Sequence, residues 1–320
     1  MAHIGLIGEP NGFTNIGGIK TLKNLLEAEL LHRGYTTSII KAGSPVPKQL
    51  TALIILGCSS PWAYRTAIRA RLRGQSVIWI PCFHPAGHVR HKGKARIAAK
   101  ALRLSQKIGI TICALSEAER LHLDSGRCVV ISLPFSIEHG QTWPTEVETS
   151  QQGASFQPRP FAVVYLGRPV AQKGWPLFLD LIVMTNLPAL ALVPTEPEGP
   201  MPDNLTLRVG VDDDQVQQEL RQASVLFLPA DYESFGFAQA EALLAGCCVP
   251  VLGEWPLWLD IAELDWRQFS AEQQAHALKE LITNSRTMRK LSEQQIEAWR
   301  HRPERMAPML PLITCGTILN

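Results

Sequence analysis

The sequence predicts two Rossmann-like α/β domains, each built around a doubly wound parallel sheet. Two observations lead to this fold class. Short apolar runs alternate with helical segments from Ile4 to Ile131, and the alternation resumes at Phe161. Between 141 and 160 the chain is dominated by Pro, Gln, Ser, Thr and Glu, as is typical of a linker. We therefore predict an N-terminal domain over 1–140, a linker over 141–160, and a C-terminal domain with terminal helices over 161–320.

The N-terminal domain follows from its strand and helix signals taken in order. Apolar runs of strand length cover 4–7, 36–40, 53–56, 77–80, 110–113 and 129–131. Helical segments cover 19–32, 64–72, 94–106 and 116–123. The first helix carries Leu22, Leu25, Leu26 and Leu30 on one face, the spacing expected of a helix that packs against a sheet.

The C-terminal domain repeats this pattern. Its predicted strands cover 161–167, 189–193, 205–209 and 225–228. An apolar-periodic segment runs from 175 to 183, and strong helix formers cover 238–244 before the helix stop at Gly246. The tail from 271 to 299 is helical and rich in Gln and Glu.

Composition places the chain among globular proteins of a reducing compartment. It is 46% hydrophobic and 19% charged, and no apolar run approaches the roughly 18–20 residues that span a bilayer. Its start lacks the basic region of a signal peptide. The seven cysteines are odd in number and show no Cys-x-x-Cys spacing, which indicates neither a zinc site nor a disulfide framework. We expect a cytoplasmic protein, with a peripheral position on the inner face of a membrane left open.

Charge is distributed unevenly along the chain. Residues 1–140 carry 18 Lys or Arg and 7 Asp or Glu, whereas residues 141–320 carry 13 and 22. Between Glu29 and Glu117 there is no acidic residue. Solvated helix faces are the ordinary explanation, but such a positive field would also attract a phosphorylated acceptor, an anionic membrane leaflet or nucleic acid. Nucleic acid is the least expected partner, because interleaved aromatics and a recognition motif are lacking.

Two glutamates bracket a turn and the start of a helix. Glu233 follows the last predicted strand, and Glu241 lies eight residues further on, inside the next helix. The backbone N–H groups of Phe235, Gly236 and Phe237 lie near the helix N-terminus, where anions and sugar hydroxyls bind favourably. Ligands of open α/β sheets bind at this carboxyl edge of the strands, so both glutamates are expected to reach one ligand.

Two cations follow the strand at 161–167. Arg168 and Lys173 lie in the short segment that ends at Gly174, just before the apolar-periodic helix. Fixed cations at the carboxyl end of a strand suit a ligand that carries, or gains during reaction, negative charge. Ordinary surface charge is the alternative explanation for either residue alone.

Together these motifs resemble the signature of retaining glycosyltransferases of family 4, which have the GT-B fold of two Rossmann-like domains facing across a cleft. The downstream element of that family is matched by Pro229, Glu233, Phe235, Gly236, Glu241, Ala242, Gly246, Pro250 and Val251. The upstream element, Gly-Arg-x4-Lys-Gly, is matched from Gly167 to Gly174. The chain departs from the family at Ala230, where Ser is usual.

The resemblance implies a role for each matched residue. Arg168 and Lys173 would bind the donor diphosphate, in place of a divalent ion. Glu241 would contact the donor ribose. Glu233 would hold the donor sugar as a catalytic residue, together with the donor-binding segment Ser234, Phe235, Gly236 and Phe237.

The N-terminal domain carries weaker candidates. Gly17, Gly18 and Lys20 open the first helix and resemble the family's Gly-Gly loop near the acceptor and the diphosphate, although Ile19-Lys20 replaces the usual continuation with Glu. A flexible turn is the alternative. His84 follows the strand 77–80 and matches a family histidine that faces the donor sugar, so it is the second catalytic candidate; a loop histidine capping a carbonyl is its alternative.

Two other kinds of site are not predicted in the N-terminal domain. The spacing of His84, His88 and His91 suits a metal only on a helix, which Pro85 and Gly87 break, so no metal site is predicted. A dinucleotide fingerprint is also absent, because the glycines near the first strand do not form Gly-x-Gly-x-x-Gly.

We therefore predict a metal-independent, retaining glycosyltransferase that uses a nucleotide-sugar as co-substrate and no cofactor. A role in glycan or lipopolysaccharide synthesis, with an anionic or lipid-linked glycan as acceptor, fits this prediction. The alternatives are a non-catalytic or regulatory sugar-nucleotide-binding protein, a sugar-nucleotide epimerase or a glycogen phosphorylase-like enzyme of the same fold.

Overall fold

The computed structural model describes residues 2–8, 18–57, 61–83, 94–123, 128–131, 159–253 and 261–300. These residues form two compact α/β units, with the division at 140/141. Each unit contains a parallel sheet with helices packed on it, so the predicted fold class is confirmed. The predicted linker, except for residues 159 and 160, lies outside the described residues.

The first unit is built on a six-stranded parallel sheet in the order β2-β1-β3-β4-β5-β6. Its strands are β1 His3–Gly8, β2 Thr36–Ile40, β3 Ala52–Leu56, β4 Ser76–Ile80, β5 Thr111–Ala114 and β6 Val129–Val130. Its helices are α1 Gly18–His32, α2 Pro61–Leu72, α3 Lys94–Lys107 and α4 Glu117–Leu123. The strand order reverses between β1 and β3, as in doubly wound sheets.

Helices α2 and α3 lie side by side on one face of this sheet. They connect β3 to β4 and β4 to β5, and right-handed crossovers between successive neighbours place both helices on the same face. Tyr64 Oη donates to the Ala98 carbonyl (3.2 Å), and Arg71 Nε donates to the Ile108 carbonyl (3.2 Å). The two helices share one buried core through Ala63, Ala67, Ala70, Ala98, Ala99 and Leu102.

The second unit is built on a four-stranded parallel sheet in the order β10-β7-β8-β9. Its strands are β7 Phe161–Leu166, β8 Ala189–Val193, β9 Leu205–Val209 and β10 Ala223–Leu226. Its helices are α5 Trp175–Thr185, α6 Asp213–Leu220, α7 Phe237–Leu244, α8 Ala271–Thr283 and α9 Ser285–Arg300. A parallel bridge between Val225 and Cys248 extends this sheet beyond β10.

The structure corrects three details of the predicted second unit. Helix α6 was not predicted; a capping box between Asp212 and Gln215 begins it. The helical tail is two helices, divided at Asn284, whose side chain accepts from Thr287 N (3.1 Å). The last strand covers Ala223–Leu226, two residues earlier than the predicted 225–228, although Phe227 N still donates to the Val164 carbonyl of β7 (2.9 Å). No helix in the described part of the chain is long and apolar enough to cross a membrane.

Candidate functional site

Two loops of the second unit meet at the carboxyl edge of its sheet. Strands β7 and β10 pair in parallel, with Val163 opposite Val225, so both end at the same edge. The loop after β7 runs from Gly167 to Gly174, and the loop after β10 runs from Phe227 to Gly236. We call them the cation loop and the glutamate loop. The two motifs found in the sequence therefore lie next to each other, although they are 60 residues apart.

An ion pair joins the two loops. Lys173 Nζ lies 2.6 Å from Glu233 Oε1. The two side chains are only 19% and 12% exposed. A charge-assisted hydrogen bond that is shielded in this way is stronger than an ion pair on an open surface. The structure thus brings together one residue expected to bind phosphate and one expected to bind sugar.

Two hydrogen bonds and one close backbone contact hold the cation loop and the glutamate loop together. Asp231 N donates to the Gln172 carbonyl (3.1 Å), and Gln172 Nε2 donates to the Tyr232 carbonyl (3.3 Å). Gly174, which has φ +70°, also lies close to the glutamate loop. A Cβ atom at this position would lie 2.1 Å from the Pro229 carbonyl oxygen, so only glycine fits the contact.

Tyr165, on strand β7, stabilises the cation loop. Its buried hydroxyl donates to the Arg168 carbonyl (2.6 Å) and also lies 3.3 Å from the Lys173 carbonyl. Its ring packs against Trp175 and Phe178 at centroid distances of 5.0 and 5.1 Å. Burial raises the pKa of this hydroxyl.

The pKa of the Tyr165 hydroxyl also responds to charges on both loops. The negative charge of Glu233 raises the pKa of Tyr165 further, and the positive charge of Arg168 opposes the shift. Charges from both loops therefore act on one hydroxyl. The Arg168 side chain is exposed, which leaves its guanidinium accessible to a ligand.

Helix α7 begins at the end of the glutamate loop. Its N-cap is Gly236, with φ +94° and no side-chain cap among the described residues. The neighbouring rings of Phe235 and Phe237 pack at 4.7 Å. Glu241 is half-buried one turn into the helix, and Ser234 is half-buried before it. The N-terminal N–H groups of α7 and its dipole thus lie at the same sheet edge as the ion pair.

Sequence reasoning missed a half-buried arginine, Arg159, that links β10 to the end of α7. Arg159 donates to the carbonyl of Ala223 at the start of β10 and to that of Ala245 at the end of α7 (3.4 Å). It also contacts the buried Cys247 sulfur (3.9 Å). The Pro and Gln that surround it in the sequence are typical of a linker, which is why the pattern gives no sign of this role.

A buried carboxylate in the first unit was also missed. Glu119 accepts hydrogen bonds from Leu115 N (2.7 Å) and from Phe83 N. Ser116 caps helix α4 through Glu119 N (3.1 Å), so the segment has the Ser-x-x-Glu spacing of a capping box. Desolvation raises the pKa of Glu119 to about 8, and the two backbone hydrogen bonds oppose the shift.

The remaining candidates lie partly outside the described residues. Gly18 begins α1, and Lys20 is half-buried in its first turn. Gly17 and His84 fall outside the described ranges, so their predicted roles stay predictions, and His88 and His91, for which no metal site is predicted, fall outside them too. Within those ranges, no group of three or more His, Cys, Asp or Glu side chains could hold a metal ion.

Comparison with known proteins identifies the fold. No protein-family model matches the sequence, and no curated protein matches it. Among solved structures, the chain resembles a sucrose-phosphate synthase from Thermosynechococcus elongatus, with a TM-score of 0.69, 13% identity and coverage of 99% of this chain and 98% of that one.

Two further structures agree. HepE from Anabaena, solved in complex with UDP and glucose, gives a TM-score of 0.65 and 12% identity over 100% of this chain and 98% of that one. WaaG, a glycosyltransferase involved in lipopolysaccharide biosynthesis, gives 0.62 and 12% identity over 100% of both chains. Identities this low establish the fold alone, and that fold is GT-B.

Proposed function

We propose that this chain is a glycosyltransferase that transfers a sugar from a nucleotide-sugar to an acceptor, with retention of configuration and without a metal ion. The contact between Lys173 and Glu233 carries the proposal, because it joins the cation loop to the glutamate loop at the carboxyl edge of the sheet, where ligands of open α/β sheets bind. HepE, which has the same fold, has also been solved with UDP-glucose.

The cation loop would bind the donor diphosphate. When the bond between the anomeric carbon and the diphosphate breaks, the electron pair leaves with the diphosphate oxygen. Arg168 and Lys173 would stabilise that growing negative charge from fixed positions, because Tyr165 holds the carbonyls of both residues. These two cations would do the work of a divalent ion.

The glutamate loop would bind the donor sugar. Glu233 is placed to accept hydrogen bonds from sugar hydroxyls, and the N–H groups at the start of α7, from Ser234 to Phe237, would bind the sugar or its phosphate. Glu241, one turn further, would accept from the ribose hydroxyls. The acceptor oxygen would bond to the anomeric carbon and pass its proton to the departing diphosphate oxygen. His84 would face the donor sugar, and Gly17, Gly18 and Lys20 would lie near the acceptor or the diphosphate.

The proposal is tested by donor binding. Calorimetry with uridine, guanosine and adenosine diphosphates and their sugar conjugates should identify a nucleotide that binds. Arg168→Ala and Lys173→Ala should each weaken that binding by roughly 10- to 150-fold, since a charge-assisted contact contributes roughly 1.5–3 kcal/mol. Arg221→Ala, an exposed arginine outside both loops, is the matched control and should bind normally.

Three further experiments test the absence of a metal ion, the retention of configuration and the transfer of sugar. Affinity and turnover that are unchanged by EDTA are expected, and strict dependence on a divalent ion would contradict the metal-free proposal. Nuclear magnetic resonance of the product should show the donor's anomeric configuration. Tight nucleotide-sugar binding without transfer or hydrolysis would favour a non-catalytic binding protein of this fold.

A further inference from the structure

The outer face of α2 alternates cationic and aliphatic side chains. Arg65, Ile68, Arg69, Leu72 and Arg73 are all exposed, at the spacing of one helical stripe that continues into the following turn. Leu72 is 82% exposed. The opposite face of the helix supplies three buried alanines to the core. The exposed stripe is therefore the side of α2 that points away from the sheet.

Helix α3 carries the same kind of stripe. Ile97, Lys100, Arg103, Leu104, Lys107 and Ile108 are exposed, the last of them just beyond the helix. Ile97 is 68% exposed and Leu104 is 51% exposed. Large aliphatic residues scattered singly over a surface need no explanation, but here they recur at helical spacing beside cations on two neighbouring helices.

The two stripes form one surface, which we call the α2–α3 face. Tyr64 contacts Ala98 near the helix N-termini, and Arg71 contacts Ile108 near the C-termini, so the helices run alongside each other over their length. Both pack on the same face of the sheet. Their outer faces consequently point to the same side of the first unit.

No acidic side chain within this part of the chain neutralises the α2–α3 face. Asp and Glu are absent between Glu29 and Glu117. The first acidic residues that follow, on α4, are already engaged: Glu117 pairs with Arg120, and Glu119 is buried. The surface is thus both apolar and uniformly cationic.

We propose that the α2–α3 face docks on an anionic phospholipid bilayer, with its aliphatic side chains at the acyl boundary and its cations at the headgroups. An interfacial helix combines these features, because long Lys and Arg side chains reach headgroup phosphates while neighbouring Leu and Ile enter the apolar layer. A nucleic-acid surface would need aromatic side chains to stack on bases, and these stripes have none. The inference goes beyond the donor site and uses none of its residues.

Sedimentation of the full chain with vesicles tests the proposal. The chain should bind vesicles of phosphatidylcholine mixed with phosphatidylglycerol at low salt and should not bind phosphatidylcholine alone. Salt near 1 M should release much of the protein, because the Debye length falls to about 3 Å. Glycerol phosphate in excess should compete poorly, since a free anion lacks the apolar layer; full displacement by it would assign the face to a soluble anion and overturn the proposal.

Matched variants locate the surface. Replacing Arg65, Arg69, Lys100 and Lys107 with Gln should weaken binding by more than about a hundredfold, at about fivefold per cation. Replacing Arg221, Arg286, Arg289 and Lys290 with Gln removes the same charge from exposed positions of the second unit and should leave binding nearly unchanged. Equal losses in the two variants would mean that only net charge matters, which overturns the α2–α3 face.

The aliphatic residues need their own variant. Leu72→Ser, Ile97→Ser and Leu104→Ser together should weaken vesicle binding while keeping its salt dependence, and unchanged binding would refute insertion. Nucleotide affinity should be normal in all three variants. A variant that loses vesicle binding but binds nucleotide normally shows that the α2–α3 face acts independently of the donor site. If the chain binds vesicles but no nucleotide, the result counts against the donor site alone.

Discussion

Gly174→Ala should disrupt the candidate site, because the added methyl group would collide with the glutamate loop. The new Cβ would lie 2.1 Å from the Pro229 carbonyl oxygen and 2.5 Å from its carbon, both backbone atoms that cannot swing aside. Ordinary contact begins near 3.4 Å. The cation loop would therefore have to move from the glutamate loop by more than about 1 Å, and overpacking of this kind costs about 1–3 kcal/mol.

Gly210→Ala provides the matched control. Gly210 follows β9 in the same unit with φ +66°, close to the +70° of Gly174, and nothing lies within 4 Å of its added Cβ. Both substitutions impose the left-handed backbone penalty on alanine, about 1–2 kcal/mol. Only Gly174→Ala adds the collision, so the difference between the two isolates the contact with Pro229.

Urea denaturation and nucleotide calorimetry together test this reasoning. Gly174→Ala should lower the free energy of unfolding by about 1–3 kcal/mol more than Gly210→Ala does. It should also weaken nucleoside diphosphate binding by about tenfold to a hundredfold, because a shift of about 1 Å misplaces Lys173 relative to Glu233. Equal stability and equal affinity in the two variants would show that the loops are not held together as described.

Two further predictions concern the glutamates. Glu241→Ala should raise the KM for the donor and leave kcat nearly constant, because its proposed contact with the donor ribose is remote from the bond that breaks, whereas Glu233→Ala should chiefly lower kcat. Steady-state kinetics measures both parameters. Effects below about 1 kcal/mol in both variants would contradict this assignment. The pKa of Glu119 in the folded state, about 8, exceeds its ordinary value, so the folded protein holds a proton that the unfolded chain releases. The free energy of unfolding should therefore fall by about 3–5 kcal/mol as pH rises from about 4.5 to 8. Urea titrations across this pH range should show that slope, and Glu119→Gln should flatten it.

The parallel strands were predictable because burial on both faces leaves an apolar run in the sequence. Every residue of β3 and β8 is buried. Helix α6 was missed because it buries only Val216 and Leu220, so no apolar face is visible in its eight residues. The division at Asn284 does have a local signal, because Thr283, Asn284 and Ser285 favour helix caps over helix interiors, but the Gln and Glu further out on both sides favour continuous helix.

The two loops of the candidate site were predictable one at a time, but their contact was not. Each motif follows an apolar strand and precedes a helix, which is a local pattern. The ion pair between Lys173 and Glu233 depends on β10 pairing with β7 instead of with the strand before it in sequence. The support from Tyr165 and the brace from Arg159 depend on the same packing, so a single sequence carries no separate signal for them.

If the proposed function is right, the ion pair predicts that the donor's phosphate and sugar are recognised together. A diphosphate that attracts Lys173 removes the partner of Glu233, a carboxylate only 12% exposed, and a shielded charge without a partner is costly. A sugar on the same diphosphate offers hydroxyl donors to Glu233 and relieves that cost. Glu233→Gln should therefore tighten the binding of the nucleoside diphosphate alone, because the neutral amide does not compete for Lys173.

Glu233→Gln should increase the affinity for the nucleotide-sugar less than the affinity for the nucleoside diphosphate alone. The difference between the affinities for these two ligands should therefore narrow in the variant. Calorimetry with both ligands on the wild type and the variant measures that difference. Asp231→Asn, an exposed carboxylate on the same loop, removes an equal charge and should leave the difference in place. If Glu233→Gln weakened both ligands equally, the pair would serve only to hold the loops together.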